Sequence, residues 1–241
     1  MKKFSFPLLI TMLCMVAGVF VLGCGGEQPP AQQQATKPTE QAAPAASSVA
    51  ASADTDSYQS KIKFKAGDGS EALIIKRYKD HDKLEINFEG SKALIKARSN
   101  AENRWKYKES TDGSDEKEQI AEIKLKDDSF KLVDTDEKLL WKVRLDEGKI
   151  KVSDNEEGNN SWEIKIKSAE KAEIRDASGA EIGNVKFYAD NGKLKVKDAD
   201  ESEIFVSKDL KFSAAPGVIL FKHIPLKHRI VIISELLRMG R

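Results

Sequence analysis

The chain has 241 residues, with 40 Lys and Arg against 39 Asp and Glu and only two cysteines. A near-neutral balance of so many charges argues against a general nucleic-acid binder, and two cysteines cannot build a disulfide scaffold. The length suits one domain with additional segments.

Residues 1–23 begin with Lys2 and Lys3, continue through an apolar run and close on small residues. That order is a secretory signal peptide and not a helix of the mature protein. The sequence that ends it, Val21-Leu22-Gly23-Cys24, resembles the lipobox of bacterial lipoproteins. The resemblance implies cleavage before Cys24, diacylation of its sulfur and acylation of the new N-terminus, hence palmitate-type anchoring in a membrane. Other readings of the same run are an ordinary signal peptide, or a transmembrane anchor with an incidental cysteine. Cys14 lies inside the signal, so Cys24 is the single cysteine of the mature chain, and carrying lipid is the job its position offers. Each buried CH₂ adds about 0.8 kcal/mol, so two or three acyl chains anchor stably. The resemblance places the protein in the cell envelope, with the membrane as its partner through Cys24. In a Gram-negative envelope Gly25 after the cysteine implies the outer membrane, facing the periplasm or the cell surface. Loss of Lys2 and Lys3 with the signal leaves 38 basic against 39 acidic side chains.

Residues 24–57 are the lipidated cysteine and a stretch of Gln, Ala, Pro, Ser and Thr with no aromatic side chain. Such a composition cannot bury enough surface to order itself and reads as a disordered tether, spanning roughly 30 Å as a flexible coil.

From residue 58 to 241 the character changes. No proline occurs between Pro44 and Pro216, and apolar and charged residues alternate, as in Ile62-Lys63-Phe64-Lys65, Leu84-Glu85-Ile86 and Ile164-Lys165-Ile166-Lys167. A period of two predicts strands with one buried face and one solvated, Lys-rich face. Asp134, Asp154, Asp176 and Asp198 recur at spacings of 20, 22 and 22, each after a charged and an apolar residue and before a polar turn. Weaker copies lie around Phe64, Ile86 and Tyr107. The chain is therefore read as repeated β-hairpins of about 22 residues, up to fourteen strands in all. One unit cannot cover its own apolar face, and closing the array into a barrel removes exposed edges. Asn191-Gly192 is the strongest short hairpin signal.

After the apolar run Pro216-Gly217-Val218-Ile219-Leu220-Phe221, residues 225–241 predict a helix, with Pro225 in its first turn, Arg238 in its last and Gly240 ending it. On a helical wheel Leu226, Ile230, Ile232, Ile233, Leu236, Leu237 and Met239 cover about half the circumference. Lys227, Ser234, Glu235 and Arg238 gather opposite, and Val231 breaks the pattern. At about 15 residues it is too short to span a bilayer. The expected fold is mainly β: an antiparallel barrel of repeated hairpins with the apolar C-terminal helix buried inside. A hairpin array followed by one such helix resembles the tubby-like superfamily, which includes LURP-one-related and scramblase-like proteins. There a twelve-stranded barrel wraps a buried C-terminal helix. No tubby phosphoinositide-binding signature is recognisable, so no functional residue is carried over.

Candidate chemistry is sparse. Asp134-Thr135-Asp136-Glu137 and Asp198-Ala199-Asp200-Glu201-Ser202-Glu203 alternate oxygen ligands, but lack the glycine and distal glutamate of an EF-hand loop and read as hairpin turns. His81 lies in a polar turn, and His223 and His228 are five apart with Pro225 between them, which does not give a zinc face; surface positions are expected. Neither Gly-x-Ser-x-Gly nor a glycine-rich phosphate loop occurs. No residue set qualifies as catalytic, cofactor-binding or metal-binding. Asn159-Asn160-Ser161 fits a glycosylation pattern that a bacterial context makes uninformative. Trp105, Trp141 and Trp162 fall in phase with apolar neighbours and read as core. Lys151, Lys165, Lys167, Lys186, Lys193, Lys195 and Lys197 form ladders that read as a solvated strand face, or as a basic face for anionic lipid or polysaccharide. The resulting function is a membrane-anchored lipoprotein of the envelope acting as a non-enzymatic binding or structural module. An anionic-lipid-interacting tubby-like module and a hydrolase with an unrecognised site are the alternatives. The protein or lipid ligand is not named by the sequence.

Overall fold

Alternation of buried and exposed side chains produces fourteen strands: β1 (Ser60–Lys65), β2 (Glu71–Arg77), β3 (His81–Phe88), β4 (Ser91–Ala101), β5 (Arg104–Ser110), β6 (Lys117–Lys126), β7 (Ser129–Val133), β8 (Leu139–Asp146), β9 (Lys149–Ser153), β10 (Trp162–Ser168), β11 (Lys171–Arg175), β12 (Glu181–Tyr188), β13 (Lys193–Asp198) and β14 (Glu203–Ser207). The computed structural model describes residues 58–110 and 117–241. Cys24, the signal and the tether lie outside the described residues. Each strand pairs antiparallel with the next, and β14 returns to β1, so the sheet is a closed barrel. The fold class expected from the sequence is what the structure has, and its fourteen strands stand at the upper end of the sequence count.

The closing seam is short. Lys65 faces Val206, the Lys63 N–H donates to Asp209 Oδ2 at 2.8 Å in place of a ladder acceptor, and Phe64 stacks on Phe205 at 5.3 Å beneath. Every other neighbouring pair of strands is in register over several residues. Closure leaves neither edge open to another chain.

One side chain in two points inward. Leu73 and Ile75, Leu84 and Ile86, Phe130 and Leu132, and Ile150 and Val152 are all buried. A barrel this wide must be filled, and the end of the chain fills it. After β14, residues 214–221 are all buried and include a 3₁₀ turn at Ala215–Leu220. Helix α1 (Leu226–Arg238) follows. Every residue of α1 from Arg229 to Leu236 is buried. Two glycines let this plug approach the wall. A Cβ on Gly217 would sit 2.9 Å from Ile174 Cδ1, and one on Gly183 would sit 2.2 Å from the Lys197 carbonyl oxygen and 2.4 Å from Leu220 Cδ1. The helix ends as the sequence predicts. Gly240 takes φ +72°, its N–H donates to the Leu237 carbonyl, and the Arg241 N–H to that of Leu236, a Schellman arrangement.

Ser234 and Glu235, which the helical wheel puts opposite the apolar arc, are fully buried, as is Val231. A helix inside a barrel has no wet face, so its polar side chains must find partners on the wall.

The repeated aspartates are turn residues. Asp134, Asp176 and Asp198 begin the same five-residue loop. Each Oδ1 accepts the backbone N–H groups two and four residues ahead at 2.9–3.0 Å. The residue three ahead takes positive φ: Glu137 (62°), Gly179 (86°) and Glu201 (60°). Asp154 departs from the repeat, because Asn155 Oδ1 takes its role toward the N–H groups of Gly158 and Asn159. Hairpins alternate between the two rims, so these four loops share one rim. Asn191-Gly192 does join β12 to β13, within a four-residue loop bounded by the facing pair Tyr188 and Lys193.

Candidate functional site

Polar groups concentrate in three places: two inside the rims, where α1 meets the wall, and one on the outer face.

At the rim near the end of α1, inward positions of β3 and β5 carry Asp82 and Tyr107 where their neighbours carry Leu, Ile or Ala. Asp82 Oδ2 accepts from Arg77 Nη1 at 2.7 Å and Arg238 Nη2 at 2.9 Å. The Tyr107 hydroxyl donates to Glu235 Oε1, and Arg238 lies 3.3 Å from the same oxygen. The Arg238 guanidinium also lies over the Trp105 ring at 3.4 Å, while Arg77 donates to the Ser234 carbonyl at 3.0 Å. Burial raises the Asp82 and Glu235 carboxyls above their usual range, against the pull of Arg238. Burial, reinforced by the Glu235 charge, pushes the Tyr107 phenol well above its usual value. Perturbed groups of this kind also mark active sites, but here they are paired with one another across the plug and the wall. The network fixes the angular position of α1 and presents no open position to a substrate.

At the opposite rim Arg229, 3% exposed, makes a two-point contact with Glu89 (3.2 and 2.6 Å) and donates to the Ile219 carbonyl at 2.6 Å. The His223 ring stacks on Trp162 at 3.3 Å, and the Trp141 indole N–H donates to His228 Nδ1 at 3.0 Å. Burial lowers both histidines below their usual value, which suits a neutral His228 accepting at Nδ1. His228 is thus a half-buried link between β8 and α1 and not the surface group the sequence suggested; His81 is also mostly covered and stacks on Tyr78 at 4.4 Å. The three tryptophans are half-buried and pack against the core from its edge. Among the described residues no group of three or more His, Cys, Asp or Glu is arranged to hold a metal ion, and no helix is long and apolar enough to cross a membrane.

On the outer face the lysine ladders are largely neutralised in place. Lys151 pairs with Asp146 (2.7 Å), Lys165 with Glu163 (3.2 Å), Lys167 with Glu173 (3.1 Å), Lys195 with Glu203 and Lys197 with Glu201 (2.9 Å). Such exposed pairs contribute little to stability, but they remove the basic face the ladders offered. Positive charge collects elsewhere. A cleft of about 330 Å³ over β4 and β5 is lined by Lys96, Arg98, Ser99, Asn100, Lys106 and Lys108. Nothing marked these residues in the sequence except alternate basic positions on both arms of one hairpin, a pattern this chain repeats elsewhere with acids attached. A second cleft, about 360 Å³, lies where Pro225, Leu226, Lys227 and His228 meet Ser91, Glu109 and residues 118–120.

No family model matches the chain, and no curated protein matches it. The class that the geometry defines is a fourteen-stranded antiparallel barrel plugged by its own C-terminal segment.

Proposed function

We propose that this protein is a lipid-anchored lipoprotein of the bacterial cell envelope, held by Cys24 and acting through its barrel as a non-enzymatic binding module. The anchor rests on Val21-Leu22-Gly23-Cys24 after an apolar signal sequence. The observation that supports binding on the outside is the occupied interior. Residues 214–221 and α1 fill the barrel, and the buried ionisable groups at both rims are paired with each other, so ligands meet the outer strand faces and the rims. A helix enclosed by an antiparallel barrel also supports kinship with the tubby-like superfamily, with two strands more than that fold has. Cell fractionation tests the anchor. Wild-type protein labelled with radioactive palmitate pellets with membranes and resists a carbonate wash, whereas Cys24→Ala is unlabelled and soluble with an unchanged fold. Equal membrane retention of the two proteins overturns the reading.

A further inference from the structure

Register puts like charges face to face on β4 and β5. Lys96 lies directly opposite Lys108, and Arg98 opposite Lys106. Facing side chains are about 5 Å apart, and residues two apart on a strand are separated by about 7 Å, so four cations share a small quadrilateral. Like charges in this relation destabilise a sheet.

Elsewhere the same barrel relieves this repulsion with a bridging carboxylate. Glu137 lies 3.7 Å from Arg104 and 3.1 Å from the facing Lys124. Glu156 lies 2.6 Å from Lys131 and 3.5 Å from the facing Lys142. Glu163 lies 3.8 Å from Lys149 and 3.2 Å from the facing Lys165. Where Lys171 faces Lys186, the Glu201 carboxylate acts on Lys186 from further away. In the β4–β5 cleft Lys106 reaches Glu122 at 3.5 Å, a carboxylate it shares with Arg104. Among the described residues no carboxylate lies within 4.0 Å of Lys96, Arg98 or Lys108. Asp80 acts on Arg98 from further away and spends its hydrogen bond on His81.

We propose that this cleft binds a phosphate-bearing anion of about three negative charges, a diphosphate or a phosphomonoester group with a neighbouring charge. The inference deepens the binding role proposed above. Three cations without an ion pair among the described residues match such a group, whereas a single carboxylate leaves two of them facing each other. Arg98 supplies a planar fork for two oxygens of one phosphate, and the lysines act as point charges around it. The volume lies at the small end of ligand pockets, about 300 Å³. The phosphate belongs either to a soluble ligand or to a lipid headgroup, and both present the same chemistry to the cleft.

The full chain in detergent is titrated by calorimetry with inorganic pyrophosphate and, separately, with mixed micelles containing phosphatidate. Saturable binding is expected in at least one arm, weakening with added salt. Lys96→Glu with Lys108→Glu lowers the affinity about tenfold or more, the scale of one or two lost charge-assisted hydrogen bonds. Lys171→Glu with Lys186→Glu makes the same charge change on another wall and leaves the affinity within about twofold. The exposed single change Lys108→Gln, with melting temperature as a check on folding, replaces the double variant if that does not fold. Tighter binding to phosphatidate micelles assigns a lipid source, and tighter binding to pyrophosphate a soluble one. Absence of saturable binding in both arms, or an equal loss in the Lys171/Lys186 control, overturns the proposal. The Cys24→Ala fractionation is read independently, so failure of the anchor and failure of the cleft are distinguishable.

Discussion

The Tyr107 hydroxyl on β5 donates to Glu235 Oε1 on α1, joining a wall and a plug that are 128 residues apart in sequence. Glu235 is fully buried, and its Oε2 has no hydrogen-bond partner among the described residues. Tyr107→Phe removes the donor and leaves both carboxyl oxygens poorly satisfied, so a loss of about 1–3 kcal/mol is expected in denaturant titration. Glu235→Gln keeps an acceptor for Tyr107 and tests the charge. Burial raises the Glu235 carboxyl in the folded state against the opposing pull of Arg238. A raised carboxyl contributes its full stability below the unfolded value, about 4.3, and that contribution is lost as pH rises through the folded value. The glutamine carries no such dependence. Its melting temperature relative to wild type should therefore move in the variant's favour between pH 4 and pH 8. Exposed carboxylates such as Asp176, held low by the Ser178 hydroxyl, give the opposite slope, but in both proteins alike, and they cancel in the difference. A difference that stays flat or moves the other way removes the buried charge from the account.

Arg229 and Glu89 hold the other end of the plug. Removal of Glu89 leaves a guanidinium that is 3% exposed with the Ile219 carbonyl as its remaining partner. A fully buried pair broken in this way costs about 3–5 kcal/mol; the Glu89 side chain is 38% exposed, and water lowers the expected loss to about 2–3 kcal/mol. Arg229→Met combined with Glu89→Ala should lose clearly less than the sum of the single changes in a double-mutant cycle. Strict additivity would mean that the two side chains do not stabilise each other.

These two contacts mark the boundary of what the sequence makes legible. Strands, hairpin count and the helix end are local properties. Alternation shows in Leu84-Glu85-Ile86, turn chemistry in Asp176-Ala177-Ser178-Gly179, and the stop in Met239-Gly240. The wheel separates Ser234 and Glu235 from the apolar arc of α1 but does not name their partners, because Arg77 and Tyr107 lie far away in the chain. A clue was present in Asp82, which shares the inward parity of Leu84 and Ile86 and so needs cationic company inside. The basic cleft was hidden for a different reason. Lys96 and Lys108 sit at outward positions like many other lysines, and what sets them apart is that they cluster with Arg98 and that no carboxylate of the described residues pairs with any of the three, which depends on partners far away in the chain.

Asp198 and Asp200 look alike in sequence and differ in work. Asp198 Oδ1 accepts the backbone N–H groups of Asp200 and Ser202 at 3.0 and 2.9 Å, while residue 200 contributes its N–H to that turn. Asp198→Ala should cost about 1 kcal/mol, the scale of net intramolecular hydrogen bonds, and Asp200→Ala close to nothing. Calcium should shift the melting temperature of neither variant relative to wild type. A calcium-induced rise of several degrees in wild type that Asp198→Ala abolishes would make the loop a cation site.

Ile233 lies at the middle of α1 and is fully buried, as are Ile230, Ile232 and Leu236 around it. Burying one such side chain stabilises by about 1.5–3 kcal/mol, so the plug supplies an amount comparable to the 5–15 kcal/mol by which an ordinary domain is stable. The barrel wall offers a largely apolar inner face, which α1 covers together with residues 214–221. Ile233→Ala should lose about 2–5 kcal/mol through the cavity it leaves. Ile233→Asp introduces an unpaired carboxylate among Ile and Leu side chains and should unfold the domain, since desolvating that charge exceeds the stability available. Deletion of residues 225–241 should leave the strands insoluble or open to protease, because both the apolar helix of the plug and the partners of Glu89, Asp82 and Tyr107 go with it. Far-UV circular dichroism and limited proteolysis read both outcomes. A truncated protein with an unchanged spectrum and melting temperature would show that the wall stands alone, and that α1 is a passenger in the barrel instead of its core.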